Sequence, residues 1–232
     1  MDVLLNDLPE DISIPRKGWC EWHLTDEVPR LSGAFCSGDV PEEVDAGDLA
    51  ECVGNMHKHI DTEIRQMECI WNDIVLIVSD FDGVMTDNRV MIDETGKESV
   101  YVSRADGQGI NILRAMGIEL VILSTETNNV VKKRAEKLRV ECIHGVKDKA
   151  EHLTAYCYKR NIELKNVAYI GNDVNDYNAM QLAGMKIVPC DAYEEVKHIA
   201  DYVTTVKGGY GVVREVAGQI KSAREKSKNH SL

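Results

Sequence analysis

Two carboxylates, Asp80 and Asp82, stand two residues apart just after the apolar run IVLIV (74–78), with Gly83 next in the stretch DFDGVMTD. Side chains at i and i+2 of an extended chain point the same way, and glycine permits a sharp turn directly behind them. Two anions side by side are unfavourable unless a cation joins them, and oxygen donors of this kind suit Mg²⁺. The plainer use of either aspartate is to cap a turn. Ser124-Thr125-Glu126 follows the run LVIL (120–123). Hydroxyls with free backbone N–H groups at a helix start make an anion site, or an ordinary helix cap. Lys149, in GVKDKAEHL, offers a point charge to a phosphate, or is a surface lysine. GNDVNDYNAM (171–180) places Asn172, Asp173, Asn175 and Asp176 behind the run VAYI (167–170), where they would supply the remaining metal ligand from a different strand.

These groups converge only if the apolar runs are neighbouring parallel strands. The runs at 74–78, 120–123, 167–170 and 185–189 are short, rich in branched residues and bounded by turn residues, as strands buried on both faces are. Helix-like stretches at 107–116, 128–138, 147–159 and 174–183 alternate with them, and a last one lies near 211–225. Such alternation predicts an α/β fold with a Rossmann-like, doubly wound parallel sheet. Ligands of such sheets bind beyond the carboxyl ends of the strands, where the polar residues above are found.

Composition sets the outer limits. The chain has 232 residues, 44% hydrophobic and 28% charged, enough for a sizeable core. No apolar run approaches the ~20 residues of a membrane helix, and MDVLLNDLPEDI lacks the basic start of a signal peptide, so no membrane association and a cytoplasmic location are expected. Seven cysteines at wide spacings, with no CxxC pair, indicate reduced thiols. The net charge of −12 argues against a nucleic-acid surface. That charge is uneven: residues 1–72 hold 16 acidic and 5 basic residues, net −11, against 23 and 22 in residues 73–232. Four of the five prolines and all three tryptophans also fall in 1–72. The chain therefore reads as an acidic N-terminal segment (1–72) and an α/β domain (73–232). Residues 1–50 show no sustained period and read as loop-rich, with WCEWH (19–23) as a docking patch or small local core. Met56, Ile60, Ile64 and Met67 predict a linker helix over 49–71.

DFDGVMTD resembles the DxDGxxTD signature of haloacid dehalogenase-type phosphohydrolases, and the order acid pair, Ser/Thr, Lys, acidic cluster matches that superfamily's four motifs. The resemblance implies Asp80 as nucleophile, Asp82 as general acid and base, Ser124 as phosphoryl holder and Lys149 as its neutralising cation. Mg²⁺ would lie on Asp80, the Asp82 carbonyl, and Asn172 or Asp173. Over residues 74–220 the likeness narrows to the sugar-acid phosphatases of 3-deoxy-octulosonate 8-phosphate and its nine-carbon relatives. It rests on the stretch 87–113, similar to their hairpin and RDGxG region, and on GGYGVVRE (208–215), similar to their GGxGxxRE. Only 14 residues separate Thr86 from Tyr101, too few for a cap domain. The resemblance therefore implies a small β-hairpin in place of a cap, a homotetramer in which the neighbour's hairpin closes the site, and substrate contacts among Thr86, Arg104, Asp106, Gly107, Thr125, Glu126, Lys137 and Arg214. Arg104 and Arg214 would take the substrate carboxylate, the alternative being surface ion pairing.

Two departures bear on substrate. Octulosonate phosphatases read TGR where this chain reads Ser124-Thr125-Glu126, and an acid there, with Lys137 on the following helix, is similar to the nine-carbon branch acting on deoxynonulosonate or N-acylneuraminate 9-phosphates. The fourth motif has Asn172 where GDD is usual, removing one negative charge at the metal. Both features also resemble the phosphatase-like domain behind some CMP-sialate synthetases, which serves assembly more than turnover in some of them. The nucleotide-binding region of a synthetase is absent, so the chain is not expected to activate sugars. A nonulosonate 9-phosphate phosphatase is the first expectation, with an oligomerisation module and an octulosonate 8-phosphate phosphatase as alternatives.

Overall fold

The computed structural model describes residues 67–230, together with residues 55, 57–59 and 62. The loop-rich reading of 1–50 lies outside the described residues. So does most of the 49–71 helix, although its described positions are helical.

Among the described residues, six parallel strands form the central sheet in the order β5-β4-β1-β6-β7-β8. They are β1 (Leu76–Ser79), β4 (Glu119–Leu123), β5 (Glu141–Ile143), β6 (Val167–Ile170), β7 (Met185–Val188) and β8 (Tyr202–Val203). All four residues of β1 are buried, and β1 pairs with β4 from Leu76↔Glu119 to Ser79↔Ile122 and with β6 from Leu76↔Val167 to Ser79↔Ile170. A strand flanked by two others and covered on both faces favours apolar residues, which is why IVLIV (74–78) reads as an unbroken run, while the buried Ser79 at the strand end donates its hydroxyl to the Asp80 carbonyl. The chain moves outward from β1 to β4 and β5, then returns to β6 on the other side of β1. The carboxyl ends of β1 and β6 are therefore the switch point at which such sheets bind ligands.

The four strands expected from apolar runs are all present. The sheet has two more, β5 and β8, whose sequences ECI and YV are too short to show a pattern. Helices α1 (Arg104–Ala115), α2 (Asn129–Leu138), α3 (Lys149–Arg160), α4 (Val174–Leu182), α5 (Glu194–Lys197) and α6 (Val212–His230) cover the sheet. Side-chain caps start four of them: Ser103 accepts from Ala105 N, Asn128 from Val130 N, Asp148 from Glu151 N and Asp173 from Val174 N. Residues ahead of β1 join this body, since Trp71 is buried edge-on to Tyr202, 5.3 Å between ring centroids. Cys69, Cys142, Cys157 and Cys190 are free thiols.

Between β1 and α1 lies a hairpin, β2 (Met91–Ile92) and β3 (Glu98–Ser99), antiparallel with Met91 opposite Ser99. Asp93 closes its turn by accepting from Thr95 N (2.9 Å) and Lys97 N (3.0 Å). Its base is pinned by a bridge between Thr86 and Val102.

Helices α1 and α6 meet at Gly109, where an added Cβ would lie 2.7 Å from the Val213 carbonyl oxygen and from Arg214 Cα. Backbone atoms cannot step aside as a flexible side chain can, so the two helices would have to separate. Gly109→Ala is expected to lower stability by about 1–3 kcal/mol despite alanine's better helix propensity. Urea unfolding of the two proteins checks this, and equal midpoints would refute the close approach.

Candidate active site

The β1 strand delivers Asp80 into the interior at the sheet's carboxyl edge, 4% exposed, with its backbone N–H donating to the Ile170 carbonyl at 2.9 Å. Its Oδ1 accepts from Phe81 N at 2.7 Å and lies 2.9 Å from Lys149 Nζ. Lys149, the first residue of α3, is 2% exposed and reaches a second carboxylate, Asp176 Oδ1, at 2.7 Å. Asp176 also accepts from Tyr169 OH (2.9 Å) on Oδ1 and from the Asn172 and Asp173 N–H groups (2.9 and 3.4 Å) on Oδ2. One ammonium thus serves two buried carboxylates. Burial and the nearby Asp176 push the Asp80 carboxyl up to about 8, against the pull of Lys149. Burial would lower the Lys149 ammonium, but the two carboxylates outweigh it and hold it above its ordinary value.

Asp82 follows on the same turn, half-buried, and accepts from Thr86 Oγ1 at 3.2 Å. Burial raises its carboxyl despite that hydrogen bond, and the charges of Glu126 and Glu98 add to the rise. Thr86 is fully buried and also accepts from Gly83 N at 3.1 Å, so it shapes the turn that presents Asp82. Gly83 has φ +80, and a Cβ there would fall 2.0 Å from Asn172 Nδ2. Only glycine lets the loop behind β1 close on the loop behind β6. Asn172, 5% exposed, therefore lies against Gly83 in the turn that follows the acid pair, and its side chain makes no hydrogen bond to a described residue. Asp173 is engaged as the cap of α4, accepting from Val174 N at 2.7 Å.

Ser124 is buried at the end of β4, its Oγ accepting from Glu126 N at 3.1 Å, its N–H donating to the Ile143 carbonyl and its carbonyl accepting from Val146 N. With its oxygen so engaged, the hydroxyl proton remains for a ligand. Thr125 and Glu126 are exposed beside it, and Lys137 is exposed in the last turn of α2.

Other expected contacts stand apart from this cluster. Asp106 is 1% exposed at the junction of α1 and α6, where it accepts from Val213 N at 3.0 Å. Gly107 faces Leu138. Arg104 is exposed at the start of α1. Arg214 is exposed and, with Tyr210 and Gln219, lines a cavity of about 280 Å³ that none of the acid-pair residues reaches. Two parts of the site carried weak sequence signals. Asp176 was one polar residue among four at 172–176. Tyr169 was hidden in VAYI, although a tyrosine in a strand buried on both faces must find a hydroxyl partner.

A buried carboxylate held by one lysine, a half-buried acid beside it and a hydroxyl at a helix entrance together suit nucleophilic transfer of a phosphoryl group. Comparison with known proteins agrees. The profile of the haloacid dehalogenase-like hydrolases matches residues 122–216. The 3-deoxy-D-manno-octulosonate 8-phosphate phosphatase of Salmonella typhi is 30% identical over 181 residues, 77% of this chain and 92% of that one. The chain belongs to the haloacid dehalogenase-like phosphatases. Among solved structures, this phosphatase superposes on a HAD family hydrolase from Streptomyces avermitilis with a TM-score of 0.62 and 45% identity, over 63% of this chain and 84% of that one. On the octulosonate 8-phosphate phosphatase of Moraxella catarrhalis, solved with magnesium, phosphate and KDO, the TM-score is 0.67 at 32% identity, over 71% and 95% of the two chains. The phosphatase also matches the N-acylneuraminate cytidylyltransferase of Oncorhynchus mykiss, 32% identical over 158 residues, 66% of this chain but 37% of that one. Among the described residues no helix is long and apolar enough to cross a membrane.

Asp106 gives a pH signature that is separate from the Asp80–Lys149–Asp176 cluster. Burial raises its carboxyl from 3.8 to about 6, against the N–H groups of Arg214 and Val213 and the charge of Arg134. A folded-state value above the unfolded one means that the folded protein binds the extra proton, so stability is fully present below about pH 4 and is lost as pH rises through 6. The shift corresponds to at most about 3 kcal/mol. Asp106→Asn removes this titration. The wild type is therefore expected to lose stability relative to the variant between pH 4 and 7 in urea unfolding. A difference that stays constant across that range would contradict the burial argument.

Proposed function

We propose that the chain hydrolyses the phosphate monoester of a nonulosonate 9-phosphate through an aspartyl-phosphate at Asp80. The observation carrying the reading is the buried Asp80–Lys149–Asp176 cluster, with Asp82 and Ser124 at the same sheet edge. Asp80 Oδ1 is occupied by Phe81 N and Lys149, which leaves Oδ2 open to attack phosphorus. As the P–O bond to the sugar breaks, Asp82 gives its proton to the departing alkoxide, and burial favours the protonated form this requires. The Asp82 carboxylate then takes a proton from water, whose oxygen displaces Asp80 and releases inorganic phosphate. Ser124 donates to the phosphoryl oxygens and Lys149 offsets their charge.

The donor set fits a hard divalent cation. Asp80, the Asp82 backbone carbonyl and Asn172 would hold Mg²⁺: Asn172 is buried without a hydrogen bond to a described residue, and Lys149 alone does not balance two carboxylates. With Asp173 spent on the α4 cap, Asn172 is the better donor from the fourth motif. When bound, the ion lowers the repulsion between carboxylate and phosphate.

Glu126 supports the nine-carbon choice, since it stands exposed at the site entrance where a cation would favour a carboxylate brought close. A second reading, an octulosonate 8-phosphate phosphatase, is favoured by the names of the relatives at Salmonella typhi and Moraxella catarrhalis. Phosphate release from eight- and nine-carbon sugar-acid phosphates, with and without Mg²⁺, separates the two. The nine-carbon substrate is expected to have the higher kcat/KM, EDTA to abolish turnover, and Glu126→Arg to move preference toward the eight-carbon substrate by about tenfold or more. Higher kcat/KM on the eight-carbon substrate in the wild type would overturn the first reading in favour of the second. No turnover of any sugar-acid phosphate, equal to an Asp80→Asn control, would sink both and leave the assembly role.

We also propose a homotetramer in which hairpins of neighbouring copies close the sites. Val90, Met91 and Ile92 on the hairpin, with Tyr101 and Tyr210, are large apolar side chains left in water. Ile92→Asp is expected to shift the mass in light scattering from four copies toward one, and a wild type that is itself monomeric would refute the assembly.

A further inference from the structure

Tyr169 lies on β6 between Ala168 and Ile170, wholly buried, and a catalytic scheme built from the four motifs gives it no task. Its hydroxyl reaches the catalytic cluster at one point, donating to Asp176 Oδ1 at 2.9 Å. The same oxygen receives Lys149 Nζ at 2.7 Å, a shorter contact than the 2.9 Å from Lys149 to Asp80. Asp176 Oδ2 is meanwhile satisfied by the N–H groups of Asn172 and Asp173.

We propose that Tyr169 is a positioning residue for phosphoryl transfer: by sharing Asp176 Oδ1 with Lys149, its hydroxyl keeps the ammonium divided between Asp176 and Asp80. The inference rests on the phosphatase chemistry alone and is independent of which sugar is the substrate. Two donors on one carboxylate oxygen compete, and each weakens the other's hold. Without the hydroxyl, Lys149 would be the sole donor to Oδ1 and would be drawn toward Asp176. Asp80 would lose part of its partner before attack. The ammonium would also be slower to follow the negative charge as it passes from the Asp80 carboxylate to the phosphoryl oxygens. The phenol is suited to the task because burial and the charges of Asp176 and Asp80 hold it protonated, so it is always a donor.

The readout is kcat with p-nitrophenyl phosphate and Mg²⁺ on the full chain, which needs no knowledge of the natural sugar. Tyr169→Phe keeps the ring and removes one hydrogen bond to a charged group, for which a fall in kcat of about tenfold is expected, with KM changed by less than about twofold. In an Asp176→Asn background the same change is expected to have no further effect, because the charge that would capture Lys149 is gone. A kcat equal to the wild type's, or a fall of the same factor in both backgrounds, would show a packing role only and overturn the proposal. If Tyr169→Phe melts well below the wild type, 3-fluorotyrosine at 169 replaces it as a residue of nearly the same shape and a stronger donor. A kcat above the wild type's then supports the proposal, and one equal to it or lower overturns it.

Discussion

Everything around the site follows from a single ammonium placed between two carboxylates with almost no water. Taking Asp80, Asp176 and Lys149 out of solvent costs several kcal/mol for each ion, and their mutual attraction offsets this only if the geometry is fixed and the remaining lone pairs are filled. The surroundings meet both conditions. Phe81 N fills Asp80 Oδ1, while Tyr169 and the N–H groups of Asn172 and Asp173 fill Asp176. Lys149 is held by its place at the start of α3, behind the Asp148 cap. The cap is therefore more than a local helix signal, because it sets where the only buried cation among the described residues can reach.

The same constraint explains why the loops at the sheet edge crowd one another. Asp80 must be buried, so the loops behind β1 and β6 close over it, and Gly83 at φ +80 is the price of bringing Asn172 against the turn behind the acid pair. Gly208 repeats this on the other flank: a Cβ there would fall 2.1 Å from the Gly83 carbonyl oxygen. The GGYGVVRE stretch thus packs on the turn behind Asp80 itself, and Glu215 anchors it by accepting from Thr205 N, Val206 N, Thr205 Oγ1 and Tyr202 OH. What reads in sequence as a distant motif is in space the outer wall of the Asp80 turn.

Legibility in the sequence tracked how local the physical cause was. Strands β1, β4, β6 and β7 showed themselves because burial on both faces forces uninterrupted apolar runs, and every long helix came within a few residues of its expected bounds apart from a C-terminal extension of α6. Strands β5 and β8 owe their existence to neighbours already in the sheet, and nothing within ECI or YV announces it. The acid pair, Ser124 and Lys149 were visible because each follows a strand or starts a helix. The Tyr169–Asp176 bond was not, because it joins a strand interior to a helix's first turn and depends on the fold to bring them together. Asp106, expected among the substrate contacts, has a structural partner that its motif did not announce: one carboxylate oxygen accepts from Val213 N and ties α1 to α6.

Charge distribution gives the site its dependence on what binds there. The net −12 of the chain lies almost wholly in residues 1–72, so residues 73–232 impose little repulsion on a phosphorylated acid. Within the cluster, however, two carboxylates face one ammonium, and burial leaves Asp80 with a carboxyl pushed up to about 8. A second fixed cation would cure this imbalance permanently, but it would also remain to hold the phosphate released at the end of each cycle. A removable divalent cation, which Asp80 and the neutral oxygens of Asp82 and Asn172 would hold in the proposed reading, would correct the charge without that consequence. Asparagine at 172 fits that reading: it adds no third negative charge to a cluster with a single lysine, and as a metal ligand it would bind more weakly than aspartate.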